Sequence, residues 1–142
     1  MRSSFDPYVR FMLNILEGGG KVHTVKGDPG GTTCWGFAQK FNKDIDVTKL
    51  TEESAIQRAL VKYWIPTGCD NYPFPVDLVM FDIAFNQSME AAKVIGIEAQ
   101  NWQAALWERV LRVYEKSNEK FRLGLYDRSV QIYAYISMGG AK

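Results

Sequence analysis

Three residues in the first quarter of the chain are of the types that glycosidic-bond cleavage uses: Glu17, Asp28 and Thr33. Cleaving such a bond needs a carboxylic acid that protonates the leaving oxygen. A second group, usually a carboxylate, must position water or stabilise an oxocarbenium-like transition state. Glu17 suits the first task. It closes a helical pattern, and the C-terminal end of a helix disfavours negative charge. Its neighbours Phe11, Leu13, Ile15 and Leu16 supply an apolar flank that acts in the same direction. Gly18, Gly19 and Gly20 follow, leaving backbone that a sugar chain can approach closely. Asp28 is the natural partner, at a glycine-rich turn able to fold back over the helix end. Thr33 brings a hydroxyl able to orient a water. On residue types alone, the same positions also read as an ordinary helix end and a turn former beside Pro29.

Asp82 and Asn86 lie four apart in the most apolar stretch of the chain, so on a helix they share a face. Buried polar groups need partners. The pair therefore reads either as the polar lining of a cleft that binds an N-acetyl sugar, or as a structural pair bonding the Asp28 loop or Arg128. Tyr63, Trp64, Trp35 and Trp102 are aromatics able to stack on sugar rings or fill a core. Trp35, beside the glycines of the Asp28 segment, is expected to line the cleft. Cys34 with His23 has the composition of a thiol–imidazole pair of a peptidase. The histidine precedes the cysteine within one loop, however, which leaves little room for a rigid dyad. With one histidine and two cysteines, no spacing matches a zinc site, and no metal or cofactor is expected.

The elements that must hold these residues are mostly helical. Asp6 is a good N-cap, Pro7 suits a first turn, and Val9, Met12, Leu13 and Leu16 recur at helical spacing. The glycines from Gly18 end that helix. Between Gly18 and Gly36, β-friendly Val22–Val25 and the turn-rich Gly27-Asp28-Pro29-Gly30-Gly31 predict a short irregular β-hairpin or loop. Phe37 to Phe41 is expected as a short helix. Thr51 caps a helix with Glu52 and Glu53 in its first turn and Ile56, Ala59, Leu60, Tyr63 and Trp64 on one face, stopped by Pro66 and Gly68. Val76 to about Gln87 is apolar nearly all round and belongs in the middle of the fold. Further helices are expected near Glu90–Glu98, Trp102–Lys120 and Tyr126–Met138. The expected class is thus mainly α, an α+β lysozyme-like layout in one domain spanning 1–142.

Bulk composition agrees with a folded globule: 46% hydrophobic and 23% charged residues leave enough apolar surface for a core. A formal net charge of +1 gives no global reason to expect nucleic acid or an anionic membrane as partner. The C-terminal stretch from Gln103 is mildly basic, which suits an anionic polymer such as a cell wall as well as it suits ordinary solvated helix faces. Cys34 and Cys69 are too few for a disulfide framework and are left as paired or reduced. With no apolar leader and no run of ~20 apolar residues, a soluble monomer made in the cytoplasm is expected. It would reach a wall after release or as part of a virion.

Glu17-Gly18-Gly19 followed by Asp28-Pro29-Gly30-Gly31-Thr32-Thr33-Cys34-Trp35-Gly36-Phe37 resembles the signature of the glycoside hydrolase family 108 muramidases. Tyr63-Trp64, Phe81-Asp82-Ile83-Ala84-Phe85-Asn86 and Gly124-Leu125-Tyr126-Asp127-Arg128 are similar to later segments of that family, in the same order. The resemblance implies a lysozyme-like fold. It also implies hydrolysis of the bond between N-acetylmuramic acid and N-acetylglucosamine in peptidoglycan, as in phage endolysins. It places Glu17 as the proton donor, with Asp28 and Thr33 where phage-type lysozymes carry an aspartate and a threonine. A lytic transglycosylase, or a non-catalytic peptidoglycan-binding protein on the same fold, are the alternatives. The chain departs from the family in a longer loop between Glu17 and Asp28. It also has Gly20 where an aromatic is common, Leu125-Tyr126 near the C-terminus, and Gln87-Ser88-Met89 after Asn86.

Overall fold

The first helix begins one residue before its expected cap. In the computed structural model, which describes residues 4–24, 26, 31–98, 101–116 and 119–140, α1 spans Phe5–Phe11 with Asp6 inside its first turn. The chain then widens into a π-helical turn over Met12–Leu16. Three short strands follow, β1 (His23–Thr24), β2 (Thr32–Cys34) and β3 (Phe37–Ala38). They form one antiparallel sheet in the order β1-β2-β3. Next come 3-10 turns at Gln39–Phe41 and Val47–Lys49, and α2 (Glu52–Ala59), which runs into a second π turn at Leu60–Trp64. The remainder is helical: α3 (Ile65–Thr67), α4 (Val76–Asn86), α5 (Met89–Glu98), α6 (Trp102–Lys116) and α7 (Glu119–Ser137). The fold is mainly α with a small antiparallel sheet after the first helix, as the sequence predicts.

The chain divides into two compact units, residues 9–59 and residues 1–8 with 60–142. In the first, Thr51 caps α2 reciprocally: Ser54 N–H donates to Thr51 Oγ1 and Thr51 N–H donates to Ser54 Oγ. The loop after β3 is pinned by polar side chains turned inward. Gln39 donates to the carbonyls of Asn42 and Ile45 and accepts from Val47 N–H. Buried Asn42 donates to Ala38 O and accepts from Arg58 Nε. The expected helix at 37–41 is a strand followed by a 3-10 turn, because Phe37 pairs with Cys34 across the hairpin and both are buried there.

The second unit is built round α4, where every residue from Asp77 to Ala84 is buried. Phe5 meets Trp64 and Phe81 edge-on and Trp64 tilts against Phe81, with centroids 4.9–5.6 Å apart. The α4–α5 approach is close at Gly96, where a β-carbon would lie 2.4 Å from Met80 Cε. Ser88 and Asn101 cap α5 and α6 through Ala91 N–H and Ala104 N–H. Helix α7 starts well before the expected Tyr126. Gly124 lies inside it, where a β-carbon would meet nothing within 4 Å, and glycine there costs ~1 kcal/mol that the rest of the helix outweighs. Among the described residues, no helix is long and apolar enough to cross a membrane.

Candidate active site

Glu17 sits at the C-terminal end of the π turn with φ −100° and ψ −2°, its N–H bonded to Met12 O at 3.0 Å. That backbone region is sparsely populated and recurs at active sites. Gly18 and Gly19 then reverse the chain with φ of +77° and +69°, and Gly19 N–H returns to Leu13 O at 2.8 Å. The π turn is a device the sequence pattern does not reveal, and such wide turns often mark functional positions. Here it sets the direction from which the Glu17 side chain leaves the helix.

That side chain runs to the β2–β3 hairpin. Trp35 and Gly36 are its two-residue loop, with φ +52° and +76°, the positive-φ pair of a type I′ turn. A β-carbon at Gly36 would lie 2.8 Å from Cγ, Cδ and Oε2 of Glu17, so the carboxyl occupies the space that any other residue at 36 would fill. The same substitution of side chain for glycine recurs twice nearby. A β-carbon at Gly20 would stand 2.8 Å from Trp35 Cζ2, and one at Gly18 would stand 3.3 Å from His23 Nε2. Gly20 is thus where the indole of Trp35 lies.

Trp35 holds a left-handed φ that costs a non-glycine residue ~1–2 kcal/mol. Two bonds fix it: its N–H donates to Gly19 O at 3.2 Å, and its indole N–H to Leu50 O at 3.1 Å. The ring remains half-buried. Thr33, one residue before Cys34 on β2, is half-buried and faces His23 across the β1–β2 pair. Of the residues the sequence points to, Thr33 and Trp35 lie on the β2–β3 hairpin and Glu17 reaches its turn at Gly36. Asp28 lies outside the described residues.

The Cys34–His23 dyad does not form. Successive strand residues point to opposite faces, so Cys34 turns away from the side on which His23 meets Thr33. Its thiol is buried and donates to Gly20 O, and burial pushes it up from the ordinary thiol range. Cys69 is also a buried free thiol.

Asp82 and Asn86 belong to a different constellation. Asp82 is 0% exposed. Arg128 meets it with Nη2–Oδ1 at 2.8 Å and Arg109 with Nη2–Oδ2 at 3.1 Å, while the Tyr8 hydroxyl donates to Oδ1 at 3.1 Å. Burial pushes this carboxyl up, but the two guanidinium groups and their hydrogen bonds outweigh it and hold it below the usual range. Burial and the adjacent Asp82 raise Tyr8 well above an ordinary phenol. Arg109, itself buried, also donates to Ser129 Oγ and Asn86 Oδ1. The Asp82–Arg128 bond is one of the two structural roles the sequence left open. Nothing in the sequence motifs points to Arg109. The available signal was a charge beside Ala105 and Leu106 on an otherwise apolar helix face.

The glycosyl hydrolase 108 family model matches residues 12–87, more than half of the chain. The chain belongs to that family. The matched segment carries Glu17, Thr33, Trp35, Asp82 and Asn86, and leaves α5, α6 and α7 outside it. As a glycosyl hydrolase 108 member the protein is a glycoside hydrolase, with a glycan as substrate. No curated protein and no solved structure matches the chain.

Proposed function

We propose that this family 108 protein is an N-acetylmuramidase that hydrolyses the β-1,4 bond between N-acetylmuramic acid and N-acetylglucosamine in bacterial peptidoglycan. The observation that carries the reading is the Glu17 carboxyl lodged against Gly36 on the hairpin that also bears Thr33 and Trp35. A general acid must be held within about half an ångström of its productive place, and a carboxyl confined by a turn meets that need better than one on a free helix end. Glu17 donates its proton to the glycosidic oxygen as the C1–O bond breaks. Asp28 stabilises the positive charge that develops on the sugar ring, and the Thr33 hydroxyl orients the water that adds to C1 while one proton of that water passes to a carboxylate of the site, so that the proton Glu17 gave up is restored over the cycle. Trp35 offers its indole face to a sugar ring. Within the unit built round α4, Asp82 holds Arg109, which donates to the half-buried Asn86, whose amide is of the type that bonds an acetamido group.

Digestion of purified peptidoglycan by the parent and by Glu17→Gln tests this, with fragments read by mass spectrometry and a reducing-end assay. The expected products end in reducing N-acetylmuramic acid and are absent with Glu17→Gln. Anhydro ends would move the protein to the lytic transglycosylases. Peptide cleavage that survives Glu17→Gln, or no cleavage by either protein, would overturn the reading.

A further inference from the structure

His23 takes no part in the mechanism above, yet its placement ties it to the same site. It is the single histidine of the chain. On β1 it stands directly opposite Thr33, and directly opposed residues of an antiparallel pair put their side chains on one face. Its Nε2 lies 3.3 Å from where a Gly18 β-carbon would be, so the imidazole edge stands over the open backbone immediately after Glu17. The ring is half-buried, between an exposed Val22 and an exposed Thr24, and is not a core residue of the two-residue strand that carries it. An imidazole in this position presents directional nitrogen groups, in its neutral form one donor and one acceptor. The Thr33 hydroxyl beside it adds a group that can do either.

We infer that His23 is a substrate-contacting residue whose imidazole hydrogen-bonds a hydroxyl or acetamido group of the sugar bound at Glu17, forming with Thr33 the polar edge of that subsite. The inference rests on the muramidase reading for the identity of the glycan. Gly18 is part of it: its missing side chain leaves room for a sugar atom within hydrogen-bonding reach of Nε2. Trp35 offers a flat apolar face, whereas His23 and Thr33 offer directed polar contacts, and a sugar ring presents both kinds of surface.

Because the chain has one histidine, its ring-proton resonances need no assignment by mutagenesis. Titrating Glu17→Gln with soluble N-acetylglucosamine–N-acetylmuramic acid oligomers, with affinity measured in parallel by calorimetry, reads the contact directly. The His23 Cε1 proton should shift saturably with the calorimetric Kd. His23→Ala, made in the Glu17→Gln background, should weaken binding about 3- to 10-fold, the loss expected for one hydrogen bond. His23→Gln should recover part of that loss, with the unfolding midpoint unchanged in both. Oligomer binding that leaves the His23 signal unmoved and is indifferent to His23→Ala would overturn this inference alone. Absence of oligomer binding together with absence of cleavage by the parent would overturn the muramidase reading and this inference with it.

Discussion

The carboxyl of Glu17 fills the place of a side chain at Gly36, so the residue after Trp35 is glycine for two separate reasons. Its φ of +76° disfavours any L side chain, and a β-carbon would meet Glu17 at 2.8 Å. Gly31 separates the two effects, because its φ is +71° but nothing lies within 4 Å of its β-carbon position. Alanine at either position should cost ~1–2 kcal/mol of stability from backbone strain. Only Gly36→Ala should displace the acid, lowering kcat about 100-fold, the scale of an ångström misplacement at a reacting group. Thermal unfolding and turnover on peptidoglycan, measured on both variants, test this. Equal activity losses at 31 and 36 would show that strain, and not the Glu17 contact, is what matters.

Trp35 and Gly20 form a second such pair, and they predict a binding defect. Trp35→Phe keeps an aromatic ring but removes the indole N–H that anchors it to Leu50 O. The ring should then lose its fixed orientation. KM for soluble glycan should rise about 10-fold, equivalent to ~1.4 kcal/mol, with kcat within a few-fold of the parent. Steady-state kinetics on both parameters decide it; a fall in kcat at unchanged KM would remove Trp35 from the binding surface.

Much of the frame was legible because it follows from periodicity and capping. The helix ending near Glu17, the helix capped by Thr51 and the buried run of α4 are all dictated by local chemistry. The expected helix at 37–41 failed because the two-residue turn at Trp35-Gly36 pairs Phe37 with Cys34. A tryptophan at positive φ is not a turn signal that composition offers. The candidate site can be named from residue types, but its contacts cannot. Glu17, Thr33 and Trp35 are nameable from the sequence, whereas the pairings of Gly36 with Glu17, Gly20 with Trp35 and Gly18 with His23 depend on how the π turn and the strand hairpins meet, which leaves no pattern in side-chain spacing. The polar pair Asp82 and Asn86 was visible on its helix. Its partner Arg109 sits 23 residues after Asn86, beyond the reach of any local rule.

The two cysteines should be silent in the folded protein. Burial raises the Cys34 thiol, and burial with the nearby Asp77 and Asp70 pushes Cys69 up to about 12. Thiolate is the reactive form, so at pH 8 an aromatic disulfide reagent should find no rapidly reacting thiol in the native protein and two after denaturation. One fast equivalent in the native state would contradict the burial of whichever cysteine is labelled.

The last prediction concerns the ionic centre of α4. A buried carboxylate facing two guanidinium groups contributes only while it is ionised. Its folded-state value lies below the ~3.9 of an unfolded aspartate. Its stabilisation is therefore complete above about pH 4 and is lost as pH falls through the folded value. Asp82→Asn leaves Arg109 and Arg128 buried without their shared counter-charge, and breaking such a pair costs about 3–5 kcal/mol. The variant should be less stable by that amount at pH 7, and the gap from the parent should narrow in acid as the parent's own carboxyl takes up its proton. Denaturant unfolding of both proteins at pH 7 and pH 3 measures the two gaps. A gap at pH 3 as wide as that at pH 7 would mean that Asp82 acts through packing and neutral hydrogen bonds, with its charge contributing nothing.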